Sequence, residues 1–269
     1  MNTQDKAFID VLWKYYDQHV RIMPWRLPEH DGSFDFYKIL VSEFMLQQTQ
    51  VDRVTPKFNA FIQNFPTLQH LANATLEAVL LNWQGLGYNR RAKYLLETAK
   101  YLQQNGLPKS PEELTRCKGI GINTAAAIFT YAYNQPYIFI ETNVRTVYIH
   151  HYFNDQTNVP DPDLLGVLSR TIDMAQPREF YWALMDYGSF LKRSGIKSHT
   201  KSKQYAKQSV FKGSVRQLRG EVLRQALHKP KVQGLIDRIN DSRLPIVLEQ
   251  LQLEGLIEIE DNVVQIASS

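Results

Sequence analysis

Apolar residues along this chain recur mostly three and four positions apart, the spacing that places them on one face of an α-helix. Phe8, Val11, Leu12 and Tyr15 predict a first helix, Phe36, Ile39, Leu40 and Met45 a second, and Val54, Phe58, Phe61 and Ile62 a third. Leu76, Val79, Leu80 and Trp83 predict a short helix that stops at Gly85. Tyr94, Leu95, Ala99 and Leu102 predict one that ends at Asn105-Gly106 with Pro108 beyond. Glycine takes the left-handed turn past a helix end, and proline cannot continue the helix. Further helices are expected near 111–116, 122–133, 142–153, 161–174 and 178–191. The final stretch reads helix, helix, hairpin. Val215, Leu218, Val222, Leu223 and Leu227 share one face, and Ile246, Val247, Leu248 and Leu251 mark a second helix. Residues 256–260 and 263–266 alternate in polarity about Asp261-Asn262, a hairpin turn pair. The fold class predicted is mostly α.

Composition changes after Leu191, where lysines and arginines run from Lys192 to Arg224 with only Glu221 opposing them. Three segments are therefore expected: a helical domain over 1–193, a basic linker over 194–212, and a module over 213–269 that resembles a small winged helix. The 269 residues, 43% hydrophobic and 22% charged, suit compact folded units. A net charge of +4 hints at an anionic partner. The single cysteine, Cys117, excludes an internal disulfide and a cysteine metal cage. The first residues lack a basic segment leading into an apolar core, and no apolar run approaches the ~20 residues that span a bilayer. The expected setting is the cytosol, with no membrane contact.

The segment Cys117-Lys118-Gly119-Ile120-Gly121-Ile122-Asn123-Thr124 opens an alanine-rich apolar helix. Two glycines at a helix start free backbone N–H groups for a phosphate. Two acids carry the candidate chemistry. Glu43 borders the apolar stripe of the second helix, where burial favours the protonated form and a general-acid role; a structural glutamate paired with an arginine would look the same. Glu141 follows the apolar run Tyr137–Ile140 and precedes a helix, so the helix dipole is expected to keep it ionised; a plain helix cap would also stand there. One neutral and one charged carboxyl divide the labour of glycosidic cleavage, since one protonates the leaving group and the other steadies positive charge on the sugar. Gln47 and Gln48 bring amides to the end of the second helix. Tyr88 sits on the tight turn Gly85-Leu86-Gly87, followed by Arg90, Arg91 and Lys93. These could meet a base stack and phosphates, or be core packing and a solvated helix face. His150 and His151 face different ways and have no third ligand in spacing.

Taken together, Met23-Pro24-Trp25, Ser42-Glu43-Phe44-Met45-Leu46-Gln47-Gln48-Thr49-Gln50-Val51, Leu71-Ala72-Asn73-Ala74, Trp83-Gln84-Gly85-Leu86-Gly87-Tyr88, Gly119-Ile120-Gly121 and Asn143-Val144-Arg145 resemble the helix-hairpin-helix DNA glycosylase superfamily. Within it they resemble the MutY-type adenine branch, over roughly residues 5–192. The resemblance implies two helical subdomains flanking a cleft that receives a flipped-out base. It implies Glu43 as the acid that protonates adenine, Glu141 at the position of the family's catalytic aspartate, and Asn143 as its neighbour. Gln47, Gln48, Tyr88, Arg90, Lys118, Gly119, Gly121, Asn123 and Thr124 become the expected DNA contacts. The partner implied is double-stranded DNA, approached by a monomer at the nucleoid, in base-excision repair.

Four departures shape that expectation. The branch's four cluster-binding cysteines are missing, with Ser194 through Lys207 in their place, so no iron–sulfur cluster and no other metal is expected. A monovalent cation held by hairpin carbonyls stays open. Glu141 replaces aspartate. Asn123 stands where bifunctional relatives carry a nucleophilic lysine, which implies a monofunctional glycosylase. The domain that reads 8-oxoguanine in full-length MutY enzymes is replaced by the winged-helix-like module. The first substrate expected is adenine opposite guanine or 8-oxoguanine. Another damaged base, or lesion sensing without catalysis, are the alternatives.

Overall fold

The computed structural model describes residues 2–268. Fourteen α-helices, two short 3-10 helices (Pro24–Arg26 and Ser198–Lys201) and one two-stranded hairpin are described: α1 (Thr3–His19), α2 (Phe36–Leu46), α3 (Val51–Asn64), α4 (Leu68–Ala72), α5 (Leu76–Trp83), α6 (Arg90–Asn105), α7 (Pro111–Leu114), α8 (Ile122–Tyr133), α9 (Thr142–Tyr152), α10 (Asp161–Thr171), α11 (Pro177–Arg193), α12 (Val215–Ala226), α13 (Val232–Ile239), α14 (Leu244–Leu253), β1 (Ile257–Glu260) and β2 (Val263–Ile266). The chain forms two compact units and passes between them more than once. The first holds residues 1–39, 110–115 and 120–207, and the second 40–109, 116–119 and 208–269.

In the first unit α9 and α11 approach each other closely. A Cβ on Gly188 would lie 2.6 Å from the Asn143 carbonyl oxygen, so only glycine lets these backbones meet. Phe8, Leu12, Phe129, Phe139, Val144, Tyr148, Phe180 and Tyr181 are buried around that crossing. Each such side chain contributes about 1.5–3 kcal/mol by leaving water. Asp186, fully buried on α11, accepts from the Arg21 backbone N–H at 3.0 Å and from the guanidiniums of Arg21 and Arg26 at 2.7 and 3.0 Å. A buried carboxylate survives because these donors replace its water.

In the second unit α3, α5 and α6 bury Phe58, Phe61, Trp83, Leu95 and Leu102. The Trp83 indole N–H donates to the Gly87 carbonyl at 3.1 Å, which fixes the turn after α5 to the helix before it. The C-terminal residues pack on the same unit through Lys93, whose ammonium donates to the Glu254 and Gly255 carbonyls at 2.7 and 3.0 Å. The hairpin pairs Ile257 with Ile266 and Glu260 with Val263, turning through Asp261 and Asn262 at φ 48° and 65°. Two positive φ values are what a two-residue turn needs to match strand twist.

Two helices differ from the sequence expectation. α4 is only five residues long, too short for a period to register. α13 is absent from the sequence expectation, so the C-terminal module carries three helices before its hairpin. Val232, Leu235, Ile236 and Ile239 keep a helical spacing there, but the run is eight residues long, with Gly234 inside it, and buries only Leu235.

Candidate active site

α2 ends in the second unit and carries Glu43, a half-buried residue flanked by the fully buried Phe44 and Met45. Past the helix end, Gln48 takes φ 55°, a left-handed conformation uncommon for a residue with a side chain. Tyr88, on the facing turn of the same unit, takes φ 47°.

Arg91 holds both in place. Only 7% exposed, it donates to the carbonyls of Phe44 at 2.7 Å and Met45 at 3.0 Å, and also to that of Gln47. Its other nitrogens reach the Leu86 and Gly87 carbonyls at 3.3 and 3.1 Å and the Thr49 hydroxyl at 3.1 Å. The guanidinium thus satisfies the last carbonyls of α2 and the turn that presents Tyr88. Burial pulls its pKa down to about 10, which leaves it cationic at neutral pH, a charge that suits the negative end of the α2 dipole.

This corrects the reading of Arg90, Arg91 and Lys93 as one phosphate-facing cluster. Arg91 is internal, Lys93 is engaged by carbonyls near Gly255, and Arg90 is exposed with Glu254 at 3.7 Å. Spacing cannot distinguish an arginine that turns inward from one that stays in water. Tyr88 is half-buried, and its hydroxyl bonds Gln208 and Arg216. No sequence signal links it to residues more than a hundred positions away.

The Gln47 side-chain amide donates to the Gly119 carbonyl at 3.1 Å, which joins the end of α2 to the glycine turn. Gly119 has φ 82°, and a Cβ there would lie 2.6 Å from the Tyr94 ring. Gly121 differs: it is the N-cap of α8 at φ −84°, and a Cβ there would have no described neighbour within 4 Å. Lys118, Gly119, Gly121 and Asn123 are exposed and Thr124 is half-buried. Cys117 is buried, and that burial pushes its thiol pKa up, so it is poorly nucleophilic.

Glu141 lies in the first unit, at the N-cap of α9. Tyr181 fixes its approach. The Tyr181 ring stacks on Phe139 at 3.8 Å, its hydroxyl accepts the Phe139 N–H at 3.0 Å, and it donates to the Tyr137 carbonyl at 3.1 Å. Asn123 adds a long contact from its amide to the Ile140 carbonyl at 3.4 Å. The expectation that the helix start keeps Glu141 ionised is corrected in one respect. Its side chain makes no capping hydrogen bond, and desolvation raises its pKa above the ordinary 4.5, with Arg145 opposing. Arg145 is shared with Asp161, through contacts of 2.8 and 2.7 Å, so its charge is only partly available. Asn143, two residues on, donates to the Met185 sulfur at 3.6 Å, while its buried carbonyl oxygen has no hydrogen-bond partner among the described residues.

The first unit thus holds Glu141, Asn143, Gly121, Asn123 and Thr124, and the second holds Glu43, Gln47, Gln48, Tyr88, Arg90, Lys118 and Gly119. Among the described residues no group of three or more His, Cys, Asp or Glu is placed to hold a metal. The one cysteine cannot supply the four thiolates of an iron–sulfur cluster. His151 meets the Tyr187 hydroxyl at 3.1 Å instead of a metal, and burial lowers its pKa to about 4.

Comparison with known proteins places these residues in context. The profile of the HhH-GPD superfamily of base excision DNA repair proteins matches residues 41–164. An adenine DNA glycosylase of Mycolicibacterium smegmatis is 31% identical over 269 aligned residues, covering 91% of this chain and 84% of that protein. That match extends into the C-terminal module. The adenine DNA glycosylase of Buchnera aphidicola subsp. Baizongia pistaciae is 33% identical, covering 69% of this chain and 53% of that one. The human adenine DNA glycosylase is 36% identical, covering 68% and 35%. The chain therefore spans about half or less of the length of these last two relatives. In fold, a thermostable thymine-DNA glycosylase superposes with a TM-score of 0.60 at 20% identity, covering 70% of this chain and 87% of that one. An endonuclease III–DNA complex gives 0.55 at 17%, covering 69% and 86%.

Proposed function

This chain belongs to the HhH-GPD superfamily, in its MutY-type adenine DNA glycosylase branch, and we propose on that footing that it hydrolyses the N-glycosidic bond of adenine mispaired with guanine or 8-oxoguanine in duplex DNA. The observation that carries the reading is Glu43, a half-buried carboxylic acid on α2 within the family-matched stretch, just before the strained Gln48 turn.

Adenine leaves slowly until a ring nitrogen gains a proton. Glu43 is the general acid that supplies it. As the bond to the base breaks, positive charge develops on the sugar, and Glu141 opposes it. The desolvation that raises the Glu141 pKa also leaves its carboxylate poorly solvated, so a developing cation is attracted more strongly there than in water. Water then adds to the sugar carbon, and Glu141 accepts its proton. The side-chain amide oxygen of Asn143, buried and without a hydrogen-bond partner among the described residues, is the group assigned to orient that water. Asn123 offers no amine for a Schiff base, so the product is an abasic site with the strand intact. Gln48 and Tyr88 meet the stack around the extruded base, and the Lys118–Thr124 turn takes backbone phosphate. No step uses a metal or a cluster. Among the described residues no helix is long and apolar enough to cross a membrane, and the protein acts as a monomer where the cell keeps its DNA, in the cytoplasm at the nucleoid.

A single-turnover assay tests this with duplexes holding adenine opposite 8-oxoguanine or guanine, uracil, or an alkylated purine. The reading expects alkali-labile abasic product from the adenine duplexes. Product from only another base would reassign the substrate, and saturable binding with no product from any duplex would make the protein a lesion sensor.

A further inference from the structure

Within the second unit, a groove of about 1070 Å³ separates the Gln48–Thr49 and Gly85–Asn89 turns from α12 and the segment leading into it. Five arginines line it, Arg53, Arg216, Arg224, Arg238 and Arg243, against two acids, Glu221 and Asp241. Both acids are already neutralised beside their own positions, Glu221 by Arg224 and Asp241 by Arg243 at 2.6 Å. Arg216 and Arg238 bond only neutral groups, the Tyr88 hydroxyl and Ser209 carbonyl for one and the Gln225 amide for the other. Arg53 is exposed. Three guanidiniums thus face the groove without a counter-charge among the described residues.

The walls between them are flat and aromatic. The Arg216 guanidinium lies between the rings of Tyr88 and Phe211, at 5.2 and 5.6 Å from their centroids. Its buried Nε has no hydrogen-bond partner among the described residues. Phe211 is 56% exposed although it is a large apolar side chain. Tyr88 and Gln48 are both held at positive φ by the Arg91 clamp, a strain of about 1 kcal/mol each that ordinary packing does not require. An apolar ligand would leave the cations unpaired at a desolvation cost, and a small anion would leave the rings unused. A polyanion with planar bases satisfies both.

We propose that this groove is a nucleic-acid strand channel, in which Arg53, Arg216 and Arg238 contact phosphates and Tyr88 and Phe211 offer stacking faces. The channel extends DNA contact from the glycosylase turns onto the C-terminal module. It takes from the proposed function only that the polyanion is DNA.

The test uses the full chain carrying Arg53→Glu and Arg238→Glu, with Lys6→Glu and Lys14→Glu on α1 as the charge-matched control. Affinity for an undamaged duplex is measured across salt concentrations, and thermal melting confirms that each variant folds. If the reversals unfold the protein, Arg53→Gln with Arg238→Gln replaces them. Each lost phosphate contact removes about 0.9 from the slope of log affinity against log salt. The groove pair should therefore flatten the slope by about 2 and weaken binding at least tenfold, with the control near wild type. An unchanged slope, an equal loss in the control, or tighter binding once the arginines are gone would overturn the channel. Undamaged DNA keeps the two claims separate: a protein that excises nothing can still show the slope change, and a protein that excises adenine with the slope unchanged refutes the groove alone.

Discussion

Glu141 shows most clearly how a residue's neighbours change its chemistry. Its place just before α9 was readable in sequence, because an apolar run followed by Glu-Thr-Asn marks a helix start. Its raised pKa was not, because desolvation comes from residues that only folding brings around it. The raised pKa has a definite linkage sign. The folded chain binds the Glu141 proton more tightly than the unfolded chain, whose glutamate titrates near 4.5. The stability contributed is complete below that value and is lost as pH rises through the folded one. Glu141→Gln should therefore raise the melting temperature at pH 7.5, lose that advantage near pH 4, and abolish excision. A lower melting temperature at pH 7.5 would show that the carboxylate is satisfied rather than strained. Glu141→Asp should instead slow single-turnover excision by about 100-fold, because this backbone is set for the longer side chain.

Among the elements, the turn after α2 and the turn before α6 depend on one buried guanidinium. Arg91→Met removes hydrogen bonds to seven carbonyl or hydroxyl groups at the end of α2 and in those turns and should cost about 2–4 kcal/mol in urea unfolding. Arg91→Lys should rescue little of that, because one ammonium cannot span a fork that reaches both turns. A midpoint within experimental error of wild type for either would refute the clamp. The glycine pair permits a cleaner separation of fold from binding. Gly119→Ala meets both a positive φ and the Tyr94 ring and should destabilise by more than about 1 kcal/mol. Gly121→Ser sits in open space at a helix N-cap and should leave stability unchanged or improved. If α8 takes a phosphate on its backbone, the same serine weakens DNA affinity; unchanged affinity would remove Gly121 from the interface. Helices of ten or more residues were legible because their apolar period repeats at least twice. α4 was not, since five residues are too few for the period to repeat, and α13 fell outside the expectation although Val232, Leu235, Ile236 and Ile239 keep a helical spacing, because Gly234 interrupts its eight residues.

For the whole molecule, linear order and compact units part company, because the chain leaves one unit and returns to it. Residues 116–119 cluster with the second unit while the flanking 110–115 and 120–207 cluster with the first. Motif order along the chain pointed to the superfamily, yet it could not show that the C-terminal module packs on the unit bearing Tyr88, since Lys93–Glu254 and Tyr88–Arg216 join distant residues with no local period. The lone buried cysteine makes a further whole-molecule expectation firm: treatment with an iron chelator should leave DNA affinity and excision unchanged, and a loss of either would reveal a metal bound by residues not recognised as ligands. The central claim is that Glu43 is the acid that releases adenine. Single-turnover excision from a duplex holding adenine opposite 8-oxoguanine, run side by side on the wild-type chain and Glu43→Gln, tests it most directly. The account predicts abasic product from the wild type and none above background from the variant, with equal DNA affinity. Product formed by the variant at the wild-type rate, or no product from the wild type, would contradict it.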